Sequence, residues 1–142
     1  MLTLDQALAF RIYRVQRLLR LHLVRLLEDV LPGLAPEHFF LLMRLGEKDG
    51  VAQHTLVDPV IGDRPNISRH LVRMEKMGLV LRQPDPQDAR SRCVHLTSEG
   101  RDVLGQLQVL IGPERARLFP MPQAELDTFA GVLDQLEQIL EG

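Results

Sequence analysis

The sequence predicts a mainly α-helical fold that carries one small β-hairpin, and three observations support this class. Apolar residues recur at helical spacing from Leu8 to Val30 and again from Leu126 to Leu140. Between these segments, a Pro-Asp-Pro turn separates the apolar residues 79–81 from an alternating segment at residues 93–97. A chain of 142 residues that is 45% hydrophobic is long enough for a single domain with its own core.

The first helix is predicted to span about 26 residues, from a capping box at Thr3 and Gln6 to the helix-ending pair Pro32-Gly33. Its apolar side chains lie on more than one side. A single core would leave part of this surface in water, so the helix is predicted to bury apolar area against a second partner.

The C-terminal helix is predicted to begin after Pro122, and its apolar residues form a narrow seam with 3-4-3-4 spacing: Leu126, Phe129, Leu133, Leu136 and Leu140. Two apolar-rich helices at opposite ends of a small chain predict an isologous homodimer interface. The helix between the hairpin and this seam is predicted to start after the N-cap Thr97 and to be broken or kinked at Gly112-Pro113.

A basic helix is predicted over residues 64–77, just before the hairpin. Asp63 is a good N-cap, Pro65 is tolerated in the first turn, and Gly78 ends the helix. One side of this helix is apolar, with Ile67, Leu71 and Met74. The opposite side is polar and cationic, with Asn66, Arg69, Arg73 and Lys76.

Charge is segregated along the chain. The whole chain has a formal net charge of −2, but residues 64–101 carry 8 basic and 4 acidic side chains, a net charge of +4. The remaining residues carry 9 basic and 15 acidic side chains, a net charge of −6. A basic surface confined to one helix and one hairpin supplies the attraction to phosphates that DNA binding requires, so we interpret this segment as a DNA-binding unit rather than as solvated charge.

Three features occur in one register here: GLV at residues 78–80, DPQDARSR at residues 85–92 and LTSEG at residues 96–100. They resemble the winged helix-turn-helix of the MarR family of bacterial regulators, most densely over residues 56–104. The resemblance implies a single MarR-like domain over residues 1–142, with a winged helix-turn-helix DNA-binding lobe at residues 34–97. It also implies N- and C-terminal dimerisation helices within residues 1–31 and 98–142.

The function implied by the resemblance is transcription regulation by a homodimer, as a ligand-responsive repressor on a pseudo-palindromic site in double-stranded DNA. Each basic helix is then expected to enter a major groove, with Asn66, Ser68 and Arg69 nearest the bases. Arg64 and Arg73 are expected to contact bases or phosphates.

The hairpin is expected to act as the wing. Arg90, held by the neighbouring Asp88, is expected to reach into the flanking minor groove, and Arg92 adds a further DNA contact. An alternative role for Asp88 and Arg90 is a local ion pair that only stiffens the hairpin. A different class of function also stays open, namely a winged-helix module that binds a partner protein through its basic face.

Two positions depart from the family pattern. Ala35 stands before Pro36, where the family often has a capping threonine. Pro59 falls in the short helix that precedes the basic helix, so this helix is predicted to be short or distorted, at about residues 53–58.

No pattern of catalytic residues is present, so an enzyme is not expected. The five histidines are scattered without metal-ligand spacing, and neither a metal site nor a cofactor is predicted. We interpret the single cysteine, Cys93, as structural, although its neighbour Arg92 favours a lower thiol pKa.

A small-molecule effector resembling an aromatic acid is implied by the family alone. The candidate effector-binding residues are Tyr13, Arg14, His38 and Phe39. The N-terminal apolar residues are interrupted by charges, and no apolar run approaches membrane-spanning length, so a cytoplasmic protein without a membrane partner is expected.

Overall fold

The computed structural model describes residues 1–142, which form five α-helices and a three-stranded antiparallel sheet. The elements, in chain order, are α1 (Leu8–Val30), α2 (Pro36–Glu47), β1 (Val51–Ala52), α3 (Arg64–Lys76), β2 (Val80–Asp85), β3 (Asp88–Leu96), α4 (Ser98–Leu118) and α5 (Gln123–Glu141). Two short 3₁₀ turns, Leu4–Gln6 and Gln53–Leu56, precede α1 and follow β1. The chain divides into two compact units, residues 1–108 and 109–142. No helix combines the length and the apolar character needed to cross a bilayer.

The predicted capping contact at the N-terminus forms, but it serves the 3₁₀ turn rather than the long helix. The side-chain carbonyl of Gln6 accepts a hydrogen bond from the Thr3 backbone N–H at 3.0 Å. Ala7 then has extended backbone angles, and α1 begins only at Leu8. The helix is therefore 23 residues long, slightly shorter than predicted.

The N-terminus of α2 is capped by an unexpected residue. Ala35 offers no side-chain acceptor, and Nδ1 of His38 instead accepts the Ala35 backbone N–H at 2.9 Å. His38 is only 2% exposed, and its ring packs edge-on against the ring of His70 in α3, with centroids 5.3 Å apart. His38 thus makes the bond that residue N3 contributes to a capping box, which differs from the bond that a threonine at position 35 would make, and its ring also contacts α3.

The burial of His38 makes stability depend on pH. Burial and the nearby His70 and Arg73 lower the pKa of His38 from 6.5 to about 4, against the opposing effect of Glu37. The unfolded chain therefore binds this proton more readily, so the contribution is intact above pH 6.5 and is lost as the pH falls towards 4. Between about pH 7 and pH 5, we expect a loss of about 1 to 2 kcal/mol in the free energy of unfolding from this residue.

The variant His38→Gln isolates this effect, because a glutamine carbonyl is able to accept the Ala35 N–H but does not titrate. Urea unfolding at both pH values is expected to show a smaller acid loss in the variant than in the wild type. Equal losses in the two proteins would contradict the prediction.

The core of the first unit is formed mainly by leucines of α2 and by the apolar side of α3. The side chains that are almost completely buried include Leu41, Leu42, Leu45, Ile67, Leu71 and Met74. The predicted division of α3 into an apolar and a cationic side is therefore confirmed. Gly78, with φ of +79°, ends the helix in the left-handed conformation that favours glycine.

The sheet contains one strand more than the predicted hairpin. Its order is β1-β3-β2, and β1 pairs through Val51 with Val94 and through Ala52 with Cys93. A two-residue strand is too short to show an alternating pattern, so no pattern indicated it. We call the hairpin of β2 and β3 the wing.

Thr97 joins the end of α3 to the start of α4. Its hydroxyl oxygen accepts the Gly100 backbone N–H at 2.9 Å, as predicted for an N-cap, and the hydroxyl donates to the Gly78 carbonyl at 2.6 Å. A Cβ atom on Gly100 would lie 2.1 Å from the Leu79 carbonyl oxygen. The LTSEG segment is thus a tightly packed joint in which residue 100 must be glycine.

At Gly112-Pro113 the predicted break does not occur, since the residues stay helical up to Leu118, while the alternative of a kink stays a prediction. A proline inside a helix removes one backbone hydrogen bond, while the neighbouring turns keep theirs. Helix α5 follows Pro122 as predicted. Its apolar seam is uncovered in the single chain, with Phe129 52% and Leu140 82% exposed.

Candidate nucleic-acid interface

Besides its buried side, helix α3 has two flanks and a cationic outer face. Its N-terminus is fixed by Asp63, whose carboxylate accepts the Asn66 backbone N–H at 3.0 Å. At roughly 100° per residue, Arg64, Ser68 and Glu75 fall on one flank, and His70 falls on the other. Arg69 and Lys76 project between them and are exposed. One helix therefore offers a cationic outer face and a separate flank beside it.

A groove of about 580 Å³ lies between that flank of α3, the 3₁₀ turn and the wing. We call it the basic groove. Five of the predicted DNA-contacting residues line it: Arg64, Ser68, Asp88, Arg90 and Arg92. The sequence did not single out several of the others, including Gln53, His54, Arg82 and Ser91. Gln53 and His54 belong to the 3₁₀ turn, which lies outside the basic segment of the sequence, and Arg82 and Ser91 belong to the wing.

The other three predicted residues lie on α3 but do not line the basic groove. The side chain of Arg69 donates a hydrogen bond to the side-chain carbonyl of Asn66, so these two predicted base contacts meet each other in the free protein. Arg73 is exposed, and its guanidinium lies beside Gly33. The predicted set is thus divided between the groove and the outer face of the helix.

The tip of the wing is ordered by two aspartates. The carboxylate of Asp85 accepts the Gln87 backbone N–H, and that of Asp88 accepts the Arg90 backbone N–H, both at 2.9 Å. The predicted contact between Asp88 and Arg90 therefore forms with the backbone and not as an ion pair with the guanidinium. Because the carboxylate fixes the main chain, the cationic end of Arg90 stays exposed.

Arg82 is the least exposed arginine of the basic groove. Its Nε donates to Oε1 of Glu75 at 2.7 Å, and its Nη1 donates to Oε1 of Gln53 at 3.3 Å. The Arg82 side chain is 12% exposed. It belongs to β2 and its partners to α3 and the 3₁₀ turn, so one side chain connects three elements of the lobe.

The four candidate effector residues fall into two environments. Tyr13 is 75% exposed on α1, and Arg14 beside it pairs with Asp5 at 2.5 Å and lies over the ring of Phe10. His38 and Phe39 are buried in α2. The single chain therefore does not expose all four to one cavity.

Cys93 lies in β3 opposite Gln83 of β2. Partial burial raises the pKa of its thiol, and the carboxylate of Asp85 adds to the rise. The lower pKa expected from Arg92 is thus not found. A thiol with a raised pKa is mostly protonated near neutral pH, and this favours the structural interpretation.

Comparisons with known proteins agree with this geometry. The sequence model of the MarR family matches residues 34–91. The transcriptional regulator HosA of Escherichia coli O111:H- is 32% identical over 92 residues, which cover 65% of this chain and 67% of HosA.

Solved structures show the same fold. The PcaV transcriptional regulator from Streptomyces coelicolor, in complex with its natural ligand, has a TM-score of 0.79 at 25% identity and covers 97% of this chain and 96% of its own. The transcriptional repressor CouR, bound to a 23-mer DNA duplex, has a TM-score of 0.82 at 23% identity and covers 96% and 99%. With its winged helix-turn-helix fold, its match to the family and its similarity to HosA, the chain belongs to the MarR family of transcriptional regulators.

Proposed function

We propose that the chain binds a pseudo-palindromic site in double-stranded DNA as a homodimer and represses transcription there. The observation that carries this proposal is the basic groove, where Arg64 at the start of α3 and Arg90 and Arg92 of the wing line one surface. A helix and a hairpin that share such a surface suit the adjoining major and minor grooves of one duplex. A regulator of this kind acts in the cytoplasm.

In this proposal α3 is the recognition helix. Asn66, Ser68 and Arg69 contact base edges in the major groove, because they lie near the N-terminus of the helix and outside its buried side. Arg64 and Arg73 contact bases or phosphates. The exposed guanidinium of Arg90 enters the flanking minor groove, Arg92 contacts the backbone, and Asp88 orders the tip that carries them.

The dimer is proposed to form through the N-terminal helix, within residues 1–31, and through residues 98–142, with residues 34–97 as the DNA-binding lobe. Uncovered apolar surface supports this division, because Leu8, Ile12 and Val15 of α1 are more than half exposed in the single chain. The charges are also complementary, since α5 carries five acidic residues and no basic one, while α1 carries five arginines. A second copy is able to cover both helices.

The assembly is tested by a charge placed in the seam of α5. Leu133→Asp is expected to convert a dimer into a monomer in sedimentation velocity at micromolar concentration, because it buries an unpaired carboxylate in the interface. Gln138→Asp adds the same charge on the opposite side of α5 and is expected to leave the dimer intact. A monomeric wild type, or equal effects of the two variants, would contradict the proposed interface.

We further propose that a small molecule resembling an aromatic acid relieves repression. Support comes from PcaV, which is 25% identical and whose structure holds its natural ligand. Tyr13, Arg14, His38 and Phe39 are the candidate residues. The exposed ring of Tyr13 offers an aromatic surface, and a ligand carboxylate would have to displace the exposed Asp5 from Arg14.

The function is tested by electrophoretic mobility shift with the DNA upstream of the protein's own coding sequence. We expect a discrete complex that survives excess competitor DNA of unrelated sequence and that covers two half-sites about one helical turn apart in footprinting. Equal competition by unrelated DNA would contradict sequence-specific regulation and would favour a basic face that binds a partner protein.

A further inference from the structure

The wing extends away from its connection to α3, so a small change of its angle at the base displaces the tip. From Val80 to Asp85, strand β2 covers about 17 Å at the usual rise of an extended strand. At its base the strand is held by the Leu79 backbone N–H, which donates to the Met74 carbonyl at 3.0 Å, and by the Thr97 joint. A tilt of about 10° at this base would move the tip by about 3 Å. Strand β1 holds β3 through Val94 and Cys93, so a contact from the edge strand β2 to α3 is what would fix the other side of the wing and the place of Arg90.

Arg82 provides such contacts two residues beyond the start of β2. The planar guanidinium group reaches Glu75 in α3 and Gln53 in the 3₁₀ turn with two different nitrogens. Glu75 is 33% exposed and Arg82 is 12% exposed, so water screens this ion pair less than a fully exposed one. The shape of the guanidinium matters, because a lysine has a single donor nitrogen in place of two.

Arg82 differs from the other arginines of the basic groove in what its donors face. Arg64, Arg90 and Arg92 are exposed, whereas Arg82 is mostly buried and directs Nε and Nη1 into the protein. Its charge is matched by Glu75 and contributes little to the attraction of phosphates. The position of Arg82 thus suits a structural connection between wing and helix better than a contact with DNA.

We infer that Arg82 is a positioning residue that holds the wing at a fixed angle to α3, so that Arg90 and the α3 side chains reach the same DNA site together. This inference rests on the proposed function. It makes the specific claim that the contribution of Arg90 to DNA affinity depends on Arg82.

The test is a double-mutant cycle on DNA affinity, measured by fluorescence anisotropy with the upstream DNA fragment. Arg90→Ala is expected to weaken binding of the otherwise wild-type protein about tenfold. In the Arg82→Met background, the same change is expected to weaken binding by less than about threefold, because the wing no longer places residue 90 correctly. Arg82→Lys is expected to give an intermediate coupling.

Arg101→Met is the matched control. Arg101 lies near the start of α4, is 57% exposed and pairs with Asp49 at 2.9 Å, but it does not bridge the wing and α3. In this background, Arg90→Ala is expected to keep its full tenfold effect. A second cycle with Gln53→Ala removes only the 3.3 Å contact of Arg82 and gives a weaker coupling should Arg82→Met prove unstable in urea unfolding.

The outcomes separate the two proposals. If Arg90→Ala weakens binding equally in the wild-type, Arg82→Met and Gln53→Ala backgrounds, the positioning role is wrong and the proposed function stands. If Arg90→Ala has no effect in the wild type, the wing contact itself is wrong, and the inference about Arg82 falls with it. Coupling that appears equally with Arg101→Met would show a general loss of stability and would also overturn the inference.

Discussion

Replacing Gly100 by alanine is expected to lower the free energy of unfolding by about 3 kcal/mol, the upper end of the usual cost of overpacking. The added Cβ would lie 2.1 Å from the Leu79 carbonyl oxygen and 3.0 Å from its carbonyl carbon. These are backbone atoms that cannot rotate away as a side chain does. Either α4 or the segment after α3 must move, and the Thr97 joint lies between them.

Gly105→Ala is the matched control for this measurement. Gly105 is also in α4, but nothing lies within 4 Å of the position of its Cβ. Alanine is expected to stabilise the helix there by about 0.5 to 1 kcal/mol, so the two substitutions should change stability in opposite directions. Urea unfolding followed by circular dichroism measures both. A Gly100→Ala protein as stable as the wild type would show that the close packing at this joint is wrong.

The wing and the recognition helix are expected to respond differently to loss of an arginine. Arg90→Ala should weaken binding and reduce the slope of log affinity against log salt by about one unit, because one cation fewer displaces counterions from DNA. Its effect on sequence preference should fall on flanking A·T-rich positions. Arg69→Ala should instead relax discrimination within the half-site by about 1 to 3 kcal/mol per lost base contact.

Competition binding with randomised sites at two salt concentrations measures both effects. Lys48→Ala is a suitable control, because Lys48 is an exposed cation outside both α3 and the wing. If Arg90→Ala, Arg69→Ala and Asn66→Ala all bind like the wild type at each salt concentration, the basic groove and the outer face of α3 are not a DNA surface. A partner protein would then be the better candidate ligand.

Much of this architecture could be predicted because local signals agreed with each other. The N-cap Asp63, the apolar spacing from Ile67 to Met74 and the helix-ending Gly78 define α3 without any knowledge of its neighbours, and the structure confirms it as Arg64–Lys76. The same holds for Thr97 at the start of α4 and for Pro122 before α5. These elements are determined by interactions within about four residues of sequence.

The features that could not be predicted depend on residues that are far apart in the sequence, or on segments that are too short to form a pattern. Arg82 meets Gln53, which is 29 positions away, and in the sequence it is one more basic residue in a basic segment. His38 accepts the Ala35 backbone N–H, but nothing in the sequence indicated that a histidine three residues after Ala35 would make this contact. Pro113 shows the converse error, since a local rule predicted a break that the helix tolerates.

The hydroxyl of Thr97 is hydrogen-bonded to two helices at once, so local unfolding of one helix end is expected to affect the other. Its donor side holds the carbonyl of Gly78 at the end of α3, and its acceptor side holds the amide of Gly100 in the first turn of α4. Fraying of either helix end therefore displaces the Thr97 hydroxyl and weakens its hydrogen bond to the other helix. We expect the amide protons of Leu79 and Gly100 to exchange with solvent at similar rates, as members of one cooperative unit rather than of two independent helix termini.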